Sequence, residues 1–185
     1  MSTWVIMGRM SSIPEDLAVW RRLQDARQPN PLSESLRFPA DGERPAALDT
    51  GYLTDEDRAN PDIAASTRAM EETTALITWV AENVEEGVAF GYWRGPGGLP
   101  LDAAPVVALD TEGQLELLRG ATLSEALVDE YGQWSHEDYT ALVAECRSRG
   151  VAISADDPDD LLEPDVTPTP SEHHEARYRE LLGGD

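Results

Sequence analysis

Residues 105–118 read PVVALDTEGQLELL, and this stretch decides the fold. Two short apolar runs, at 105–109 and 114–118, flank the turn residues 110–113. A four-residue turn that ends in glycine between two such runs is typical of a hairpin with a type I turn and a bulge. The stretch therefore predicts two adjacent antiparallel strands.

The preceding run at residues 88–93, VAFGYW, predicts a third strand. Its side chains alternate, so that Val88, Phe90 and Tyr92 face one way and Trp93 faces the other. Ala89 and Gly91 share the face of Trp93, and small residues beside a tryptophan indicate that another element packs closely there.

Helix signals surround these strands on both sides. Ser12–Glu15, Thr122–Glu125 and Ser135–Asp138 each carry a hydroxyl residue three positions before an acidic one, which is typical of a helix N-terminus. Met70, Leu76, Ile77, Val80 and Val84 recur at helical spacing and form one apolar stripe. The predicted helices cover residues 14–27, 63–83, 122 onward, 135–150 and 171–182.

This mixed order of elements, with neighbouring strands tightly joined, predicts an α+β fold with a mostly antiparallel sheet flanked by helices. We expect a single domain over residues 1–154, with additional short strands at 4–7 and 151–154. Residues 28–62 are rich in proline and predict an irregular cover, anchored by Leu36, Phe38, Leu48 and Tyr52. We expect an acidic linker over residues 155–170 and a short terminal helix within 171–185.

The charge of the chain is strongly negative and unevenly distributed. The formal net charge is −22, all 14 basic residues are arginine, and 29 of the 36 acidic residues but only 8 of the arginines lie after residue 50. Such a field repels phosphate backbones, so we expect no nucleic-acid partner. It attracts basic proteins and speeds their association, although acidity also serves solubility alone.

The chain start and the cysteine content bear on the compartment. Residues 4–7 form an apolar run of only four residues, which predicts neither a secretory signal nor a membrane span. The single cysteine, Cys146, excludes an internal disulfide. We therefore expect a cytoplasmic protein without a membrane partner.

Candidate reactive groups all favour ordinary interpretations. Cys146 lies on the apolar side of a predicted helix, where a small buried thiol is the expectation. His173 and His174 are adjacent in an acidic tail and are expected to be solvated. The acidic run 156–160 lacks the glycine and the spaced glutamate of a calcium loop. We expect no catalytic residue, no cofactor and no metal.

Two groups of residues are the predicted partner-binding positions. Exposed tryptophan, tyrosine and arginine anchor protein interfaces, and alternation along the strand places one of Tyr92 and Trp93 in the core and leaves the other for a surface. The acidic run supplies a negatively charged face. The predicted partner-binding residues are Tyr92, Trp93, Arg94, Asp156, Asp157, Asp159 and Asp160.

Residues 79–125 resemble the later half of SUKH-superfamily domains. The resemblance rests on the strand VAFGYW, a Gly/Pro loop, the strand PVVALD followed by Glu112-Gly113, and the capped helix at Thr122–Glu125. It implies a compact α+β domain that binds proteins, as bacterial immunity proteins do, without catalytic residues. Gly91, Trp93, Asp110 and Gly113 are the matching positions, and their implied role is structural.

These observations favour a cytoplasmic protein-binding module, and in particular an immunity-type inhibitor that neutralises a cognate toxin by blocking its surface. A basic toxin domain is the expected partner. Two alternatives stay open at the sequence level: a housekeeping scaffold or regulator of the same fold, and an enzyme whose site is assembled from residues far apart in the sequence.

Overall fold

The computed structural model describes residues 13–132 and 135–183. The strands are β1 (Leu36–Arg37), β2 (Ile77–Asn83), β3 (Val88–Trp93), β4 (Val106–Leu109) and β5 (Leu115–Leu117). The helices are α1 (Glu15–Asp25), α2 (Asp55–Ala59), α3 (Pro61–Thr74), α4 (Leu123–Tyr131), α5 (His136–Ser148) and α6 (Pro170–Leu181). The predicted strand at residues 4–7 lies outside the described residues.

All five strands form one antiparallel sheet in the order β1-β2-β3-β4-β5. The predicted hairpin is confirmed as β4 and β5. Gly113 adopts φ +78°, and the Asp110 carboxylate accepts hydrogen bonds from the backbone N–H groups of Glu112 and Gln114 at 2.9 and 2.8 Å. The left-handed conformation at Gly113 is the reason that glycine closes this turn.

Helices cover both faces of the sheet, so the predicted α+β class is confirmed. The front face, which includes Val80, Phe90, Tyr92 and Val106, belongs to the main core with α1, α4 and α5. The back face, which includes Ile77, Trp93, Val107 and Leu109, belongs to a second core beneath α3 and α6. Alternation along β3 is as predicted, because Phe90 and Tyr92 lie in front and Trp93 lies behind.

The predicted helix 63–83 is wrong in its second half. Helix α3 ends at Thr74, and Ile77–Asn83 forms strand β2 between β1 and β3. A bulge lies between Trp79 and Ala81, so Val80 and Ala81 both join the front core whereas Ile77 joins the back. An extra residue in a strand breaks the two-residue alternation. The apolar spacing therefore imitated a helix.

The proline-rich segment 28–62 is an irregular cover, as expected, with β1, a short 3₁₀ turn at Ala46–Leu48 and α2 inside it. Leu36, Phe38 and Leu48 are buried and anchor it. The fourth predicted anchor is wrong, because Tyr52 is 79% exposed.

The expected linker is instead a strap, residues 156–170, that packs along the outer edge of β5. Midway along the strap the Leu162 carbonyl accepts from the Gly120 N–H at 2.8 Å, and just beyond its C-terminal end Ser171 Oγ donates to the Leu115 carbonyl at 2.6 Å. Leu161 is buried in the main core. Native sheets blunt their open edges with such covering segments, and proline suits an edge since it cannot continue a ladder.

Of the two segments that flank the strap, one differs from its prediction and the other agrees with it. Residues 151–154 form no strand; Val151 and Ile153 are buried, but the Val151 N–H bonds to Cys146 and closes helix α5. The terminal helix is confirmed as α6, which packs against α3 and β5. The acidic C-terminal segment is therefore part of the folded body.

Candidate functional site

Neither aromatic residue predicted for partner binding lies on the surface. Tyr92 is 3% exposed on the front face, and Trp93 is 0% exposed on the back face. The Trp93 indole N–H donates to the Pro168 carbonyl of the strap at 3.0 Å. Burial raises the pKa of the Tyr92 hydroxyl above its usual range. The expectation of one exposed ring is wrong because both faces of the sheet are covered by helices.

Arg94, the third predicted residue, is committed to its own loop. Its Nε donates to the Leu99 carbonyl at 2.8 Å, and its terminal nitrogen donates to the Gly98 carbonyl at 3.3 Å. The guanidinium therefore holds the glycine loop 95–98 in place.

The four predicted aspartates divide between structural and surface positions. Asp156 forms an ion pair with Arg147 at 2.6 Å, and Asp157 accepts from the Asp159 N–H at the start of a short 3₁₀ turn. Asp160 is exposed in the same turn. Asp159 is also exposed, and it lines a cleft together with acidic residues from β5, from α4 and from the strap itself.

This acidic cleft is the strongest candidate site. It has a volume of about 730 Å³ and lies between β5, the C-terminal half of α4, the start of α5 and the strap. Volumes of this size are usual for ligand-binding clefts. The acidic residues that line it are Glu116, Asp129, Glu130, Asp159 and Glu163.

The arginine of the cleft is already engaged, and the histidine of the cleft lies near a carboxylate. Arg119 forms a two-pronged ion pair with Asp129, with nitrogen–oxygen distances of 3.1 and 2.6 Å. This pairing raises the pKa of Arg119, and the nearby Glu163 and Asp159 raise it further. His136 Nδ1 lies 3.6 Å from a carboxylate oxygen of Asp157. The cleft therefore keeps a strong excess of negative charge.

Glu130, a half-buried carboxylate of the cleft, has a raised pKa. Burial raises the pKa of Glu130, and the neighbouring carboxylates of Glu116, Asp129 and Glu86 raise it further. A like charge close by disfavours ionisation, because each added negative charge must be placed in the field of the others. A cation that entered the cleft would relieve this repulsion.

Glu125, on the same helix, shows the opposite behaviour. It is only 3% exposed, and burial by itself would raise its pKa. Hydrogen bonds from the Ser154 hydroxyl and from the backbone N–H groups of Ala121, Ser154 and Ala155 outweigh burial and lower the pKa. Glu125 thus joins the loop before α4 to the segment that leads into the strap, and its charge is satisfied.

Sequence reasoning found Asp159 but missed the rest of the cleft. Glu116 carried a usable signal, since it alternates with Leu115 and Leu117 and must face away from them. The buried residues of α4 end at Asp129, so the next residue, Glu130, is the first in the helix that is partly exposed. Nothing in the sequence indicates that these two carboxylates meet the strap.

The remaining reactive groups are in part as expected. Cys146 is fully buried, and burial raises the pKa of its thiol to about 12. The expectation of solvated histidines is wrong: both are half-buried, and the His173 ring packs edge-on against Trp93 at 5.8 Å. Over residues 13–132 and 135–183, no group of three His, Cys, Asp or Glu side chains is arranged to hold a metal ion.

The described part of the chain contains no helix with the length and apolar character needed to span a bilayer. A comparison with models of known protein families finds no match, and comparisons with curated proteins and with solved structures find no significant match either. The case for the acidic cleft as a functional site therefore depends on its geometry and charge alone.

Proposed function

We propose that this chain is a protein-binding module that docks a basic surface of its partner into the acidic cleft. The observation that carries the proposal is the crowding of Glu116, Glu130, Asp159 and Glu163 without a free basic residue among the cleft's described lining. Burial raises the pKa of Glu130, and the carboxylates of Glu116, Asp129 and Glu86 raise it further. A Lys- or Arg-rich partner segment carries charge that complements the acidic lining of the cleft.

The physical consequences of such a site are distinct. Complementary charge accelerates the encounter between partners, and this acceleration weakens as salt screens the field. Carboxylates that repel one another in the free protein gain more from a cation than isolated surface carboxylates do. Binding through the cleft is therefore expected to be fast, salt-sensitive and accompanied by a lowered pKa of Glu130.

We further propose that the partner is a toxin domain and that the module neutralises it by covering its surface. The resemblance of residues 79–125 to SUKH domains supports this assignment, because that superfamily includes immunity proteins. The resemblance rests on β3, on β4 with the turn that follows it, and on the start of α4. The buried free thiol of Cys146 fits a reducing compartment, and we infer a cytoplasmic location.

The test is a binding measurement with proteins encoded beside this gene, using two triple variants. The cleft variant is Glu116→Gln, Glu130→Gln and Glu163→Gln. The control variant, Glu56→Gln, Asp62→Asn and Glu71→Gln, removes three exposed charges from α2 and α3, on another part of the surface. We expect the cleft variant to weaken binding at least tenfold and to flatten its salt dependence, and the control to change it less than twofold.

Equal losses in the two variants would contradict a localised site and indicate general charge attraction only. The toxin assignment has its own check, which is growth of cells that express the partner alone or together with this chain. A partner that is harmless when expressed alone would replace the immunity hypothesis with that of a housekeeping scaffold.

A further inference from the structure

Helix α6 covers the back face of the sheet with only one buried residue of its own. Of its 12 residues, Pro170 alone is buried. Beneath it lies Trp93, which is fully buried in the back core. A helix without an apolar stripe must be held to the body by polar contacts. Elements held by few buried apolar contacts are the ones that open at the least cost in free energy.

Polar side-chain contacts join α6 to α3. Arg177 donates to a carboxylate oxygen of Glu72 at 2.7 Å. His173 Nδ1 lies 3.1 Å from the hydroxyl oxygen of Thr73, a fully buried residue. The His173 ring also packs edge-on against Trp93, with ring centroids 5.8 Å apart. Because the Trp93 indole N–H bonds to the Pro168 carbonyl, α6 and the end of the strap close over the same ring.

His173 can change its charge between pH 7.5 and pH 5.5, whereas the ion pair beside it does not. Hydrogen bonds from Arg68 and Arg177 lower the pKa of Glu72, so this carboxylate stays ionised in mild acid. The unperturbed pKa of histidine is about 6.5. Burial lowers the pKa of His173, and the charge of Arg177 lowers it further.

The charged and titratable groups that face His173 come from α3 and from α6 itself. Arg177 and His174 oppose a charge on the ring, whereas Glu180 and Glu72 favour it. Strand β3 presents only the uncharged indole of Trp93. Because the folded pKa of His173 lies below the unfolded one, its contribution to stability is complete at neutral pH. The contribution is lost as the pH falls from about 6.5 towards the folded value.

We propose that α6 is an acid-released latch, in which protonation of His173 favours an open state with α6 and the end of the strap detached from the back face. Opening exposes Trp93, which the closed state buries completely. The Arg177–Glu72 ion pair sets how firmly the latch closes, and His173 makes the closure depend on pH.

The latch also borders the acidic cleft. Ser171 and His174 of α6 line a cavity of about 710 Å³, and this cavity shares Glu116 and Glu130 with the cleft. Release of α6 therefore changes the shape of the surface beside the cleft. The consequence for binding, a weaker hold on the partner in acid, rests on the proposed function, whereas the latch itself does not.

The experiment measures solvent exchange of the Trp93 and Trp20 indole N–H protons in the full chain by NMR. The Trp20 indole N–H bonds to the Ser124 hydroxyl in the main core at 2.9 Å and is the internal reference. We expect the exchange rate of Trp93 relative to Trp20 to rise about fivefold between pH 7.5 and pH 5.5, since one unit of pKa difference corresponds to a tenfold change. The midpoint of this rise should match the titration of the His173 ring protons in the same spectra.

Three variants separate the pH response from the contacts. His173→Asn keeps a hydrogen-bonding group near the position of Nδ1 without a titrating ring, and we expect it to abolish the rise. Arg177→Gln removes the ion pair with Glu72, and we expect faster Trp93 exchange at both pH values with the rise retained. The matched control is His136→Asn, which replaces an exposed histidine at the start of α5 and should leave the rise unchanged.

The proposal is overturned if the Trp93 and Trp20 protons change in parallel, because that result indicates opening of the whole fold. It is also overturned if the midpoint departs from the His173 titration, or if His136→Asn removes the rise as completely as His173→Asn. No partner enters these measurements, so their failure would leave the proposed function of the acidic cleft untouched.

Discussion

The two edges of the sheet differ in what covers the outer strand and in how charge is distributed around it. At the β5 edge, the strap covers the strand and the acidic cleft concentrates negative charge. At the β1 edge, charges are paired, since Arg37 binds Glu43 and Glu82, and the strand has only two residues. The comparison teaches that net charge alone does not describe this surface, because acidic residues crowd together at one edge and pair with arginines at the other.

The largest expected effect is a loss of fold stability on removing the buried charge of Glu125. Glu125→Gln removes a buried charge that accepts hydrogen bonds from Ser154, Ala121 and Ala155, and we expect it to destabilise the fold by about 3 kcal/mol at pH 7. The lowered pKa of Glu125 means that its stabilisation is present above the unfolded value near 4.3 and is lost as the pH falls through the folded value. Urea denaturation at pH 7 and at pH 3 should show the difference between native protein and variant shrinking in acid.

The control for this change is Glu137→Gln, which removes an exposed carboxylate at the start of α5. An exposed residue without packed contacts is expected to change stability by less than about 0.5 kcal/mol. A loss at Glu137 as large as that at Glu125 would show that total charge, and not the hydrogen bonds of Glu125, holds the strap region.

The next effect has the opposite sign and belongs to the β1 edge. Arg27→Gly relieves the left-handed strain at the end of α1, and we expect it to stabilise the fold by about 1 kcal/mol. The measurement is the urea midpoint at unchanged slope, with Arg22→Gln as the neutral comparison. A destabilised Arg27→Gly protein would mean that contacts of the arginine side chain support the fold by more than the left-handed conformation costs.

The smallest expected effect concerns Glu130, whose pKa is shifted in the opposite direction to that of Glu125 on the same helix. Glu130→Gln removes a charge whose pKa is raised by burial and by Glu116, and we expect a gain of about 0.5 kcal/mol at pH 7. Because the folded pKa lies above the unfolded one, the native protein loses stability as the pH rises through this window. The gain should therefore vanish near pH 3, where both states are protonated.

Thermal or urea denaturation of Glu130→Gln at the two pH values provides the check. A variant that is less stable than the native protein at pH 7 would show that the favourable contacts of Glu130 outweigh the repulsion between the carboxylates. The acidic cleft would then be a structural network and not a site held open for a cation.

Local patterns predicted much of the fold. The hairpin at residues 105–118, strand β3 and the start of α4 depend on contacts within a few residues, so turn chemistry, alternation and capping were sufficient. Strand β2 was not predictable in the same way. Its bulge at Val80 arises from pairing with β3, and it displaced the apolar positions into a helix-like spacing.

The candidate sites depended still more on tertiary structure. Exposure of Tyr92 or Trp93 was a reasonable expectation for a sheet with one open face, but α6 and the strap close the back face over Trp93. The strap itself read as a linker because its composition is acidic and proline-rich. Its few apolar residues, such as Leu161, find their places only on the assembled body.

The sequence by itself determined the α+β class, the central hairpin, the buried thiol of Cys146 and the excess of acid after residue 50. Only the tertiary structure decided where that acid collects, because Glu116, Glu130 and Asp159 are distant in the chain and meet when the strap packs beside β5. Backbone preferences act between near neighbours, whereas electrostatic crowding and cavity shape depend on distances that exist only after the chain has folded.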